Sequence, residues 1–118
     1  MLDRVRSWLP GAQKKAAAPK QDVEGSELME WIVQKKPMTL LDVRDQKSFR
    51  LGHIKGATLI PGYELQQRMH ELRTDRMVVV LAATDAKAVR AARLLRSGGL
   101  EALVLKGGMV KWSGKLVK

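Results

Sequence analysis

Cysteine is absent from this chain of 118 residues, which excludes disulfides, thiolate metal sites and a cysteine nucleophile in the chain as written. Histidine is scarce: only His53 and His70 occur, seventeen residues apart, a spacing that does not favour a zinc site. Aromatic residues make up 4% of the chain and offer few stacking platforms for single-stranded nucleic acid. We therefore expect no metal and no cofactor.

Long apolar runs are absent too. No stretch approaches the roughly 18 apolar residues of a membrane span, and no shorter apolar stretch precedes a small-residue cleavage site. The sequence therefore predicts a cytoplasmic protein. Peripheral membrane association through residues 1–10 stays open, because Leu2, Val5, Trp8 and Leu9 share one helical face before Pro10 ends the segment.

Positive charge is in excess, with 22 Lys and Arg against 12 Asp and Glu. The excess is concentrated at the two ends: residues 1–20 carry a net +4 and residues 86–118 a net +7. This predicts weak, salt-sensitive binding to anionic surfaces. Sequence-specific nucleic-acid binding is not expected, because the chain has no helix-turn-helix or zinc-finger pattern.

The chain divides into a basic N-terminal extension and linker over residues 1–20 and one globular domain over residues 21–118. In that domain, apolar runs suited to strands alternate with apolar positions at helical spacing. Predicted strands cover 38–43, 57–60, 77–81 and 102–105, and predicted helices cover 25–35, 63–73, 85–97 and a short segment after Gly107-Gly108. This alternation predicts an α/β fold with a doubly wound, mostly parallel sheet and helices on both faces.

Several motifs occur together in a characteristic order. They are Leu-Leu-Asp-Val-Arg-Asp at 40–45, Gly-His-Ile-Lys-Gly-Ala at 52–57, Ile-Pro at 60–61, the valine-rich strand at 77–81 and Leu-Lys-Gly-Gly-Met-Val-Lys-Trp at 105–112. In this order the chain resembles a single rhodanese domain from Val23 to Ser113. The resemblance implies a sulfurtransferase-type α/β fold, in which the loop after the central strand carries a cysteine that accepts sulfur as a persulfide.

At the position of that cysteine this chain has Ala82, and a methyl group cannot carry sulfur. The rest of the loop departs as well, which favours a natural degenerate loop over a single engineered change. The loop residues are Ala82, Ala83, Thr84, Asp85, Ala86, Lys87 and Ala88. Asp85 is predicted to cap the following helix and to fill the anion site that such a loop provides.

The remaining motif residues are interpreted as structural. The resemblance places Asp42 and Arg44 at a strand end, where they brace neighbouring turns, and His53 beside a turn. The other residues assigned to the structural motif are Gly52, Gly56, Gly107, Gly108 and Trp112. Lys87, Arg90, Arg93 and Arg96 recur every third residue along one predicted helix, a pattern typical of a solvated face, although a binding role stays open.

Three functional hypotheses follow. The first is a catalytically inactive rhodanese-like module that acts in protein interaction or regulation, with a partner protein that the sequence does not identify. The second is a sulfurtransferase whose nucleophile is lost in this chain. The third is a basic adaptor for anionic membrane or nucleic acid. The lack of cysteine favours the first hypothesis.

Overall fold

A computed structural model of the protein describes residues 20–118, so the predictions for the N-terminal extension lie almost entirely outside the described residues. A parallel sheet of five strands forms the centre of the fold, which confirms the predicted α/β class. In chain order the strands are β1 (Asp22–Val23), β2 (Met38–Asp42), β3 (Thr58–Leu59), β4 (Met77–Leu81) and β5 (Ala102–Leu105). Their spatial order is β1-β5-β4-β2-β3.

Within residues 20–118, four α-helices and three 3₁₀ turns lie between and after the strands. The helices are α1 (Gly25–Val33), α2 (Gln46–Leu51), α3 (Leu65–Arg68) and α4 (Asp85–Ser97). The 3₁₀ turns are Gly62–Glu64, Met69–Glu71 and Met109–Lys111. The predicted helix at 63–73 is thus a short α-helix between two 3₁₀ turns, and the last predicted helix is a single 3₁₀ turn.

Strand β4 lies at the middle of the sheet and is covered on both faces. Its residues from Val78 to Leu81 are fully buried, as expected for a continuous apolar run in a parallel sheet. Val78 and Val80 pack with α4 in one core cluster. Val79 and Leu81 pack in a second cluster with α1 and Trp112.

Helix α4 follows β4 and has the predicted bounds. Its buried face consists of Ala88, Ala91, Ala92 and Leu95. The helix ends at Gly98, where the Gly99 and Leu100 N–H groups donate to the Arg96 and Leu95 carbonyls. Gly99 has φ +89°, so this end is the left-handed cap that the two glycines predict.

Strand β1 and helix α2 were not predicted from the sequence. Helix α2 buries none of its residues, so it lacks the apolar periodicity that identifies a helix. It begins instead at a local signal: the Asp45 carboxylate accepts the Ser48 N–H at 2.7 Å. Among residues 20–118, no helix is long and apolar enough to cross a membrane.

Candidate functional site

The carboxyl ends of β2 and β4 lie side by side at one edge of the sheet. Asp42 is in register with Leu81, and the Val43 N–H donates to the Leu81 carbonyl at 2.9 Å. In open parallel α/β sheets, ligands bind beyond the carboxyl ends of the strands. The degenerate loop, residues 82–88, starts at this edge with Ala82, which is 1% exposed.

The glycine turn at Gly107-Gly108 holds the degenerate loop from the side. The Met109 N–H donates to the Ala82 carbonyl at 2.7 Å. A Cβ on Gly108 would lie 2.5 Å from the Ala83 oxygen, a distance that real structures do not tolerate. Gly108 also has φ +69° and ψ −177°, a conformation that is essentially restricted to glycine. Gly108 is therefore required by its close contact with the loop.

Asp85 does not cap helix α4, so that prediction is wrong. The N-cap residue is Thr84, with extended φ −134° and ψ 162°, and its side chain makes no capping hydrogen bond. Asp85 is already the first helical residue, and its Oδ1 accepts the Gly107 N–H at 2.7 Å. Its carboxylate thus joins the degenerate loop to the glycine turn. It still places negative charge in the first turn of α4, which favours the helix.

Asp42 and Arg44 form an ion pair at the carboxyl end of β2. The Asp42 side chain is fully buried and Arg44 is 13% exposed, with 2.8 Å between Arg44 Nη2 and Asp42 Oδ2. Arg44 also donates its Nε and its backbone N–H to Asp42 Oδ1 at 3.0 Å, and its Nη2 to the Gly52 carbonyl at 2.8 Å. The pair therefore joins the end of β2 to the turn after α2.

His53 lies in that turn and does not line the groove described below. Its Nδ1 is 2.8 Å from the Phe49 carbonyl oxygen, and its ring stacks on Phe49 with 3.8 Å between centroids. Its backbone exchanges two hydrogen bonds with Val117. Gly56 follows with φ +87°. These contacts attach the C-terminal segment to the turn.

Trp112 lies on the opposite face of the sheet, in the second core cluster. Its ring contacts the N-terminal end of α1, where a Cβ on Gly25 would lie 3.7 Å from the indole. The structure therefore places Trp112 away from the groove.

A groove of about 870 Å³ opens between α4, the segment after β2 and the turn after β3. We call it the α4 groove. Its lining residues are Val43, Arg44, Asp45, Ser48, Pro61, Gly62, Tyr63, Leu65, Ala82, Ala83, Lys87, Arg90, Ala91, Arg93 and Leu94. Ala82 thus lines the groove at the position where the resemblance places a nucleophile.

Three of the four regularly spaced cations of α4 line this groove, namely Lys87, Arg90 and Arg93. The fourth, Arg96, donates its Nη2 to the Ala102 carbonyl at 2.8 Å and is part of the helix end. The carboxylate that lines the groove, Asp45, accepts the Ser48 N–H, and this hydrogen bond lowers the pKa of Asp45. The groove is consequently positive and suited to anionic groups.

Sequence reasoning missed several groove residues. Pro61 belongs to the Ile-Pro motif and Tyr63 begins the predicted helix at 63–73, but neither was assigned to a site, and Ser48 lies in the unpredicted helix α2. Tyr63 is 81% exposed, and only its position after Pro61-Gly62 signals a turn. No cluster of three or more histidine or carboxylate side chains that could hold a metal ion occurs within residues 20–118.

Comparison with known proteins adds a family. The family model described as "Rhodanese-like domain" matches residues 24–115. The chain is 45% identical over 78 residues to the uncharacterized protein YqhL of Bacillus subtilis, a match that covers 65% of this chain and 62% of YqhL. It is 29% identical to the thiosulfate sulfurtransferase GlpE of Vibrio cholerae, over 77% of this chain and 84% of GlpE.

Solved structures agree with this assignment. A crystal structure of a rhodanese-related protein from Thermoplasma volcanium superposes with a TM-score of 0.76 at 27% identity. The superposition covers 82% of this chain and 97% of that protein.

Proposed function

The chain belongs to the rhodanese-like domain family, and we propose that it is a catalytically inactive member that acts as a protein-interaction or regulatory module. One observation carries this proposal: alanine occupies the nucleophile position, buried at the base of the α4 groove, in a chain without cysteine. Persulfide chemistry requires a thiolate. Neither Ala82 nor any other side chain of this sequence supplies one.

The surroundings of Ala82 also argue against a lost thiol as the only change. A catalytic thiolate is stabilised by neighbouring positive charge and by unpaired N–H groups at a helix N-terminus. In this loop, the Asp85 carboxylate occupies the first turn of α4. This negative charge opposes the stabilisation that the N-terminus of α4 would otherwise give to a thiolate in the loop.

A binding role is supported by what remains. The Asp42–Arg44 pair and the glycine turn hold the groove in shape, and the groove is large enough for a segment of another molecule. The proposal includes a cytoplasmic location, which stays a prediction from the sequence. The match covers 62% of the length of YqhL. Any activity or partner of this protein as a whole is therefore part of the proposal.

The test is a thiosulfate:cyanide sulfurtransferase assay on the purified chain, with GlpE of Vibrio cholerae as the active control. We expect no thiocyanate above the uncatalysed background, and no mass increase of one sulfur atom after incubation with thiosulfate. Turnover by the purified chain, or a stable sulfur adduct, would show that the protein is a sulfurtransferase with another sulfur carrier.

A further inference from the structure

We propose that the α4 groove binds an acidic segment of a partner protein, in which carboxylates alternate with apolar side chains. The inference rests on the proposed interaction role and names the chemistry of the partner. It follows from the shape of the groove, from three cations on its α4 wall, and from apolar surface between and opposite them.

The wall formed by α4 presents cationic and apolar side chains on one helix face. Lys87, Arg90, Ala91 and Leu94 are spaced at i, i+3, i+4 and i+7, so they share one face of the helix. Lys87 and Arg90 lie in the N-terminal half of α4, and Ala91 and Leu94 supply apolar surface beside them. Arg93 extends the charge along one margin.

The three cations of this wall are exposed. No ion pair within residues 20–118 involves Lys87, Arg90 or Arg93, whereas Arg44 is neutralised by Asp42. Asp45 also lines the groove, but its carboxylate already accepts the Ser48 N–H. The groove therefore offers more positive charge than its own side chains neutralise.

The part of the opposite wall formed by the turn after β3 and the start of α3 is apolar. Tyr63 is 81% exposed, next to the buried Pro61 and Leu65, and all three line the groove. A large exposed aromatic residue beside a concave surface is typical of a protein contact. The groove volume of about 870 Å³ falls within the range of sites that enclose drug-sized ligands. A few residues of an extended chain fit such a site.

The spacing of charges suits an extended peptide. Lys87 and Arg93 are six residues apart on α4, which corresponds to about 9 Å along the helix axis. Alternate side chains of an extended chain point the same way about 7 Å apart. Two carboxylates separated by one residue can therefore each reach a cation of the wall, while the residue between them faces the opposite wall and Tyr63.

A protein segment fits these features better than nucleic acid or lipid. The cations line a concave groove with apolar walls, and a duplex or a bilayer presents a broad surface that does not enter it. Electrostatic attraction to phosphates alone would not use the apolar surface around Leu65 and Leu94. The experiment separates these partners directly.

The probe is a fluorescein-labelled peptide of eight residues in which Glu alternates with Leu, and binding is measured by fluorescence anisotropy. The charge-reversal variant is Lys87→Glu combined with Arg90→Glu. The matched control is Lys115→Glu combined with Lys118→Glu, which changes net charge equally at exposed residues that do not line the groove. We expect the groove variant to weaken binding about tenfold or more, and the control to weaken it far less.

Two further measurements sharpen the test. Tyr63→Ala removes an exposed side chain without disturbing the core, and we expect it to weaken binding severalfold. A peptide in which Gln replaces Glu should bind much more weakly than the acidic one. Circular dichroism of each variant verifies that the fold is retained.

Several results would overturn the inference. They are equal weakening by the groove and control variants, equal binding of the Gln peptide, or tighter binding of duplex DNA or phosphatidylserine vesicles with the same dependence on Lys87 and Arg90. Any of these would leave the sulfurtransferase assay unaffected. Thiocyanate formation would instead overturn the proposed function, whatever the peptide does, so the two failures are distinguishable.

Discussion

The carboxyl ends of β2 and β4 are neighbours in the sheet, yet they differ in how closely their residues resemble the family motifs. At the end of β2, Asp42 and Arg44 form a buried, hydrogen-bonded pair that matches the family motif. At the end of β4, the loop begins with Ala82 and contains Asp85, which bonds to the glycine turn. The bracing ion pair at the end of β2 is thus formed although the loop at the end of β4 has no thiol.

The largest expected effect comes from breaking the ion pair between Asp42 and Arg44. In Arg44→Met the Asp42 carboxylate stays fully buried and loses its cationic partner. We expect a loss of about 3–5 kcal/mol in the free energy of unfolding, the usual cost of leaving one member of a buried ion pair without its partner. Urea denaturation measures it, and Arg73→Met, in the exposed pair with Asp75, is the control with little effect. Equal midpoints for Arg44→Met and the parent would refute the bracing role.

The next effect concerns the contact between the glycine turn and the degenerate loop. Gly108→Ala adds a Cβ against the Ala83 oxygen at a glycine-only conformation, and we expect a loss of about 2–4 kcal/mol. Gly99→Ala is the matched control, since Gly99 also has positive φ but faces open space. If both substitutions destabilise equally in thermal unfolding, the close approach of Gly108 contributes nothing.

These two regions also show what the sequence can predict. Strand β4 and helix α4 have the predicted bounds because a continuous apolar run and a helical apolar face are local signals. Helix α2 has no buried face, so its signal is limited to the Asp45 cap. The Asp85 contact joins residues 22 positions apart, and a local reading offers capping as the simpler role. The groove forms where separate turns come close to one another, and only the tertiary fold determines how close they come.

A smaller effect tests the corrected role of Asp85. In Asp85→Ala the Gly107 N–H loses its acceptor, and we expect a loss of about 0.5–1.5 kcal/mol. Hydrogen exchange at the Gly107 amide should become faster in this variant and stay slow in Thr84→Ala, whose side chain makes no capping bond. Unchanged exchange at Gly107, with faster exchange in the first turn of α4, would restore the capping role.

The smallest effect is a pH dependence at the wall opposite α4. The Ser48 N–H lowers the pKa of Asp45 below its ordinary value of 3.8. A lowered folded-state pKa adds stability above the ordinary value, and this contribution is lost as pH falls through the folded-state pKa. The difference in denaturation midpoint between the parent and Asp45→Ala should therefore be present at pH 7 and narrow below pH 3.8.

Asp45→Asn provides the matched control, since an asparagine side chain also caps helices but does not titrate. It should retain much of the capping stability at pH 7. A parent-to-alanine difference that is the same at pH 3 and pH 7 would contradict the role of the charge.

The central claim is that the loop after β4 lacks more than the thiol that sulfur transfer requires, so that restoring the thiol alone does not restore activity. The most direct test is the thiosulfate:cyanide turnover of Ala82→Cys, measured beside GlpE of Vibrio cholerae. The new thiol would lie before a helix whose first turn carries the Asp85 carboxylate, and this charge offsets the stabilisation that a helix N-terminus gives to a thiolate. We predict turnover close to the uncatalysed background for this single variant. Turnover comparable to that of GlpE would contradict the account, because it would show that the loop is still organised for catalysis.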